Sequence, residues 1–91
     1  DVWLDYFITR QHLVSQLTSG DELTINNEEC FNSKGQSILK FSKHFHTTIE
    51  SWKKKGYRLV RAKVNFIVYW KKEGTEVESK IVLPEVFFEK N

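Results

Sequence analysis

The sequence predicts an α+β fold: a small antiparallel sheet ending in a long C-terminal β-hairpin (about 57–71 and 75–89), packed against one main helix at about 37–55. Three observations carry this. Ile38, Phe41, Phe45, Ile49 and Trp52 recur at spacings of three and four, which lines them along one stripe of a helix. From Val60 to Trp70 an apolar residue then occupies every second position, the period of a strand. Between the two patterns stands Lys53-Lys54-Lys55-Gly56, cations that suit the negative end of a helix dipole, then a residue free to take positive φ.

In chain order, Val2–Ile8 is apolar enough for a strand or for the start of a helix. Thr9 can cap a second, shorter helix over about 10–19, with Leu13, Val14 and Leu17 on its apolar side and Gly20 ending it. Leu23–Asn26 and Cys30–Asn32 read as short strands around an Asn26-Asn27 turn, and Ser33-Lys34-Gly35 as a loop. Ser37 is the predicted N-cap of the main helix, with Lys40, Lys43, Thr47, Glu50 and Lys54 on its wet face.

In the hairpin, Val60, Ala62, Val64, Phe66, Val68 and Trp70 point one way; Arg61, Lys63, Asn65, Ile67, Tyr69 and Lys71 point the other. A loop at Lys71–Gly74 sets Trp70 against Thr75, Val68 against Val77, Phe66 against Ser79, Val64 against Ile81 and Ala62 against Leu83. A slip by one residue would bury Glu76, Glu78 and Lys80, so it is disfavoured. Pro84 has no N–H for a ladder and predicts an edge or a bulge. The predicted core sets the helix stripe against Val60, Val64, Phe66, Val68, Trp70, Val77, Ile81 and Leu83. A winged-helix arrangement has the same element order, but such long strands are too much for a wing.

Composition bounds the function. The 91 residues make one predicted domain, 1–91, with no repeat and no linker; the lack of any Met suggests a piece of a longer protein. A hydrophobic share of 40% with thirteen aromatic rings excludes a disordered chain. No apolar run reaches the length of a membrane span, so no membrane partner is expected. Cys30 is the single cysteine, which excludes an internal disulfide or a multi-Cys zinc site and, with no leader in view, leans towards an intracellular protein.

Catalytic candidates are few. His44 and His46 diverge on a helix and cannot share a ligand. Cys30 and His12 could act together only if the first third of the chain joined them, and no glycine cluster cradles a phosphate. Glu76 and Glu78 on one strand face are explained by cross-strand pairing with Lys63, Lys71 and Lys80. An enzyme is therefore the poorer expectation, and no cofactor or metal is implied.

Charge is the stronger signal. The net charge is +2, but residues 34–72 carry eleven Lys and Arg against Glu50 alone, while the segments on either side are acidic. The sequence therefore predicts a non-catalytic binding module that contacts a nucleic acid such as DNA. Its predicted site is Lys53, Lys54, Lys55, Arg58, Arg61, Lys63 and Lys71, which would neutralise phosphates, with Tyr69 stacking a base. The alternative is a protein-interaction module using Ile67, Tyr69 and Val82 as an exposed apolar island.

Overall fold

Asn27 takes φ 56°, a left-handed conformation that asparagine tolerates, and so closes a tight turn between β1 (Glu22–Asn26) and β2 (Glu29–Phe31). This matches the turn read from the sequence. In the computed structural model, which describes residues 1–91, these strands join β3 (Ser37–Lys40), β4 (Tyr57–Lys71) and β5 (Glu78–Lys90) in one antiparallel sheet. The strand order is β3-β2-β1-β4-β5. A 3-10 turn at Asp5–Arg10 runs into the short helix α1 (Gln11–Val14), and the main helix α2 (Lys43–Lys54) carries the chain from β3 across to β4. The α+β class and the long C-terminal hairpin are as predicted.

The main helix starts six residues later than its apolar spacing suggests. Ser42, not Ser37, is the N-cap, its Oγ accepting the Phe45 N–H at 3.2 Å. Residues 37–40 are instead β3, with Cys30 opposite Leu39 and Glu29 opposite Lys40. The adjacent Ile38 and Leu39 are both fully buried, a pattern a one-sided surface helix does not produce. The first helix is also shorter than predicted and begins as a 3-10 turn, with no side-chain cap from Thr9.

The hairpin departs from the predicted register in an instructive way. Trp70 faces Ser79, Val68 faces Ile81 and Lys71 faces Glu78, so Lys72–Val77 is left as a six-residue tip. A shift of four keeps each side chain on its predicted face, so alternation alone could not exclude it. Two bulges then break the alternation itself, one between Leu59 and Arg61 and one between Val64 and Phe66. Each inserts one residue on β4 and flips everything beyond it. The face turned towards α2 is therefore Leu59, Ala62, Val64 and Ile67, opposite Phe88, Val86, Pro84 and Val82. Val60 and Phe66, both assigned to the core from sequence, lie outside it, as do Val77 and Leu83; Phe66 is 59% exposed.

The core joins Phe7 and Val14 to Leu23, Cys30, Ile38, Leu39, Phe41, Ile49, Ala62, Val64, Ile81 and Val82. Each outer edge of the sheet meets a stand-in partner at one or two residues. On β5, the Gln11 side chain accepts the Lys80 N–H (2.7 Å) and donates to the Lys80 carbonyl (2.8 Å), in the manner of a neighbouring strand. On β3, Val2 bridges to Phe41 and the Trp3 N–H donates to the Lys40 carbonyl at 2.9 Å. No helix is long and apolar enough to cross a membrane.

Candidate functional site

β4 is laddered to β5 over its whole length, but on its other edge it meets β1 at only two pairs, Glu22 with Lys63 and Leu23 with Ala62. Beyond Leu23, β1 continues against β2 alone. The bulge at Val60 bends β4 just where the two strands part. Between them opens a cleft of about 1080 Å³, bounded by Thr24, Ile25 and Asn26 on one side, Arg58, Leu59 and Val60 on the other, and by Ile49 of α2.

Charges in the cleft are largely matched within the protein. Arg61 grips Glu22, its Nε donating to Oε1 at 2.9 Å and Oε2 at 3.1 Å, with Nη2 also on Oε1. This hydrogen bonding holds the Glu22 carboxyl below its usual range and raises Arg61. Lys53 Nζ pairs with Glu50 at 3.3 Å, one helical turn away. Glu29 is kept ionised, first by the Tyr6 hydroxyl (2.8 Å) and then by that of Ser37 (2.9 Å). His46 Nε2 lies 3.2 Å from Glu28 Oε1 without an aligned hydrogen bond. Arg58 has no carboxylate within ion-pair distance, Glu89 opposite it on β5 included.

The eight residues predicted to contact nucleic acid do not form one surface. Lys53, Arg58 and Arg61 line the cleft. Lys63 pairs with Glu85 at 3.5 Å, and both Lys63 and Arg61 sit over the Phe87 ring. Lys71 pairs with Glu76 at 3.2 Å near the hairpin tip. The bulge between Val64 and Phe66 places Tyr69 and Lys71 on the opposite strand face from Arg61 and Lys63, so the ring and the cations expected beside it are separated. Tyr69 is 70% exposed, with Lys80 over its ring. Lys54 and Lys55 have no carboxylate partner, and Lys55 Nζ stands 5.2 Å from the Trp52 ring centroid.

The alternative island also changes. Val82 is 0% exposed and Ile67 packs against the core, so Tyr69 is the only exposed member of the proposed trio. The open cleft was not legible from sequence, since its cause is where the β1–β4 pairing stops.

Cys30 is fully buried, and desolvation pushes its thiol up to about 12, so it stays protonated. His12, His44 and His46 belong to no cluster of three or more His, Cys, Asp or Glu side chains that could hold a metal ion. In comparisons with known proteins, no family model, no curated protein and no solved structure matches the chain.

Proposed function

We propose that the chain is a non-catalytic binding module whose basic end contacts the phosphate backbone of a nucleic acid. One observation carries this reading. Of the seven cations predicted to meet phosphate, Lys53, Arg61, Lys63 and Lys71 are each paired with a carboxylate, whereas Lys54, Lys55 and Arg58 are not. The three unpaired cations lie close in sequence where α2 ends and β4 begins, and Lys90 stands opposite Tyr57 at the same end. A charge free of an internal partner has less to lose on meeting phosphate, and each such contact releases a counterion.

The same end offers a ring. Trp52 is 36% exposed, packs edge-on to Tyr57 at 5.2 Å and stacks on Phe88 at 5.4 Å between centroids. A ring stacked on Phe88 and braced by Tyr57 loses little freedom when a base stacks on it. In this reading Trp52 takes the role that sequence gave to Tyr69, which lies about 35 Å along β4 from Arg58 at the usual strand rise.

A salt titration of binding to a mixed single-stranded oligonucleotide pool tests the reading. Lys54→Ala and Lys55→Ala should each flatten the log–log slope by about one unit, while Lys71→Ala and Tyr69→Ala leave it unchanged. Trp52→Ala should weaken binding by about 1–3 kcal/mol at constant slope. No measurable binding at about 50 mM salt ends the nucleic-acid reading.

A further inference from the structure

We propose that the cleft between β1 and β4 is a strand-acceptor site, which takes an extended segment of another protein with alternating apolar and acidic side chains. The main chain defines the class of ligand. The Val64 N–H donates to the Asp21 carbonyl at 2.8 Å and the Gly20 N–H to the Val64 carbonyl at 2.7 Å, while Leu23 lies opposite Ala62. Asp21, just before β1, and Leu23 within it thus direct polar main-chain groups at β4, and Ile25 is next in that alternating series. The pairing has already ended at Leu23, so the Ile25 N–H and carbonyl open on to the cleft, facing the unladdered edge of β4 around Val60. Two opposed strand edges that are not laddered to each other are matched by a polypeptide in β conformation.

The two sides of the cleft set the side-chain pattern. A seated strand would turn alternate residues inward, towards the apolar Leu23, Ile25, Leu59 and Ile49, beside which the Lys53–Glu50 pair and His46 of α2 also line the cleft. Its other residues would turn outward, between Glu22, Thr24 and Asn26 on β1 and Arg58, Val60 and Arg61 on β4. Glu22 already neutralises Arg61, which leaves Arg58 as the one unmatched charge on the outward side, and it calls for an acidic residue. Elsewhere the molecule guards its strand edges, with Gln11 on β5 and with Val2 and Trp3 on β3.

The site can be tested by selecting binders to the whole chain from a displayed library of random linear peptides and mapping a selected peptide by NMR. Alternating apolar and acidic sequences should be enriched. The selected peptide should shift the Ile25, Val60 and Ile49 signals and slow exchange of the Ile25 amide by about tenfold or more. Methylating its alternate amide nitrogens should abolish binding. Arg58→Glu should weaken it by about tenfold and switch a repeat selection towards basic residues. Lys54→Ala and Lys55→Ala should leave peptide binding intact, so failure of the nucleic-acid reading would not decide this one. The proposal is overturned by selection without enrichment, by binders that map elsewhere or are indifferent to Arg58→Glu, or by concentration-dependent protection of Ile25 in the free protein, which would show a second copy filling the cleft.

Discussion

Along its two outer edges the sheet meets side chains or backbone that stand in for a missing strand. Gln11 brackets Lys80 on β5, Pro84 withholds a donor further along, and Val2 and Trp3 pair across to Phe41 and Lys40 beside β3. Between β1 and β4, inside the same sheet, two strand edges face each other with no such cover. An open edge is a template for foreign strands, and proteins ordinarily blunt it. The molecule thus blunts its outer edges at Lys80 and at Lys40–Phe41, and leaves the inner one without a comparable partner. Energetically the two also differ: the outer cover is tied into the core through Phe7 and Val14, whereas the cleft rests on a seam of two residue pairs.

The largest effect should come from breaking the outer cover at its root. Phe7 is 0% exposed, and Phe7→Ala should cost about 3–5 kcal/mol in a urea melt. A loss under about 1 kcal/mol would show that the N-terminal turn is dispensable to the core. Next comes the cover itself. Gln11→Ala strands the Lys80 N–H and carbonyl and should cost about 1–3 kcal/mol, with Lys80 amide exchange rising while Val64 stays protected. Equal exchange at Lys80 in the variant and the parent would remove Gln11 from the account.

On the cleft side, Ser42→Ala removes the cap of the helix that closes one side of the cleft and should cost about 1 kcal/mol by thermal melt, leaving the outer edges untouched. Phe66→Ala should fall below about 1 kcal/mol, because the Asn65 bulge turns that ring to solvent. A cost near that of Phe7→Ala would restore the unbulged register. The smallest effect is on pH. Glu22 and Glu29 titrate below the ordinary carboxylate value of 4.5, held there by Arg61 and by the hydroxyls of Tyr6 and Ser37. A depressed folded pKa adds stability that is present above 4.5 and lost as the pH falls through the folded value. Glu29→Gln and Glu22→Gln should each make denaturation midpoints less sensitive to acid over that window, and an unchanged acid limb would remove these contacts from the ledger.

How much was legible follows the range of each interaction. The Gly56 helix stop, the Asn26-Asn27 turn and the Ser33–Gly35 loop depend on residues within one turn of each other, and all were read correctly. The start of α2 was missed because Ile38 and Phe41 fit a helical stripe equally well as buried strand positions, and only pairing with β2 selects the strand. Of the candidate site, the basic composition was legible but its surface was not. A bulge costs one residue of alternation and leaves no mark in local propensity, yet it sends Tyr69 to the face opposite Arg61.

The sequence by itself therefore determined the α+β class, the long hairpin, the helix that ends at Gly56 and the concentration of positive charge in the middle of the chain. Period, caps and turn residues act locally and are written in adjacent letters. Only the tertiary structure decided which four cations are neutralised by Glu50, Glu22, Glu85 and Glu76, which face each strand residue takes, and that β1 leaves β4 after Leu23. Those outcomes balance strand pairing, bulge strain and burial between residues up to tens of positions apart. A register shifted by four satisfies the same hydrophobic alternation, so the choice between them falls to contacts that exist only once the chain has folded.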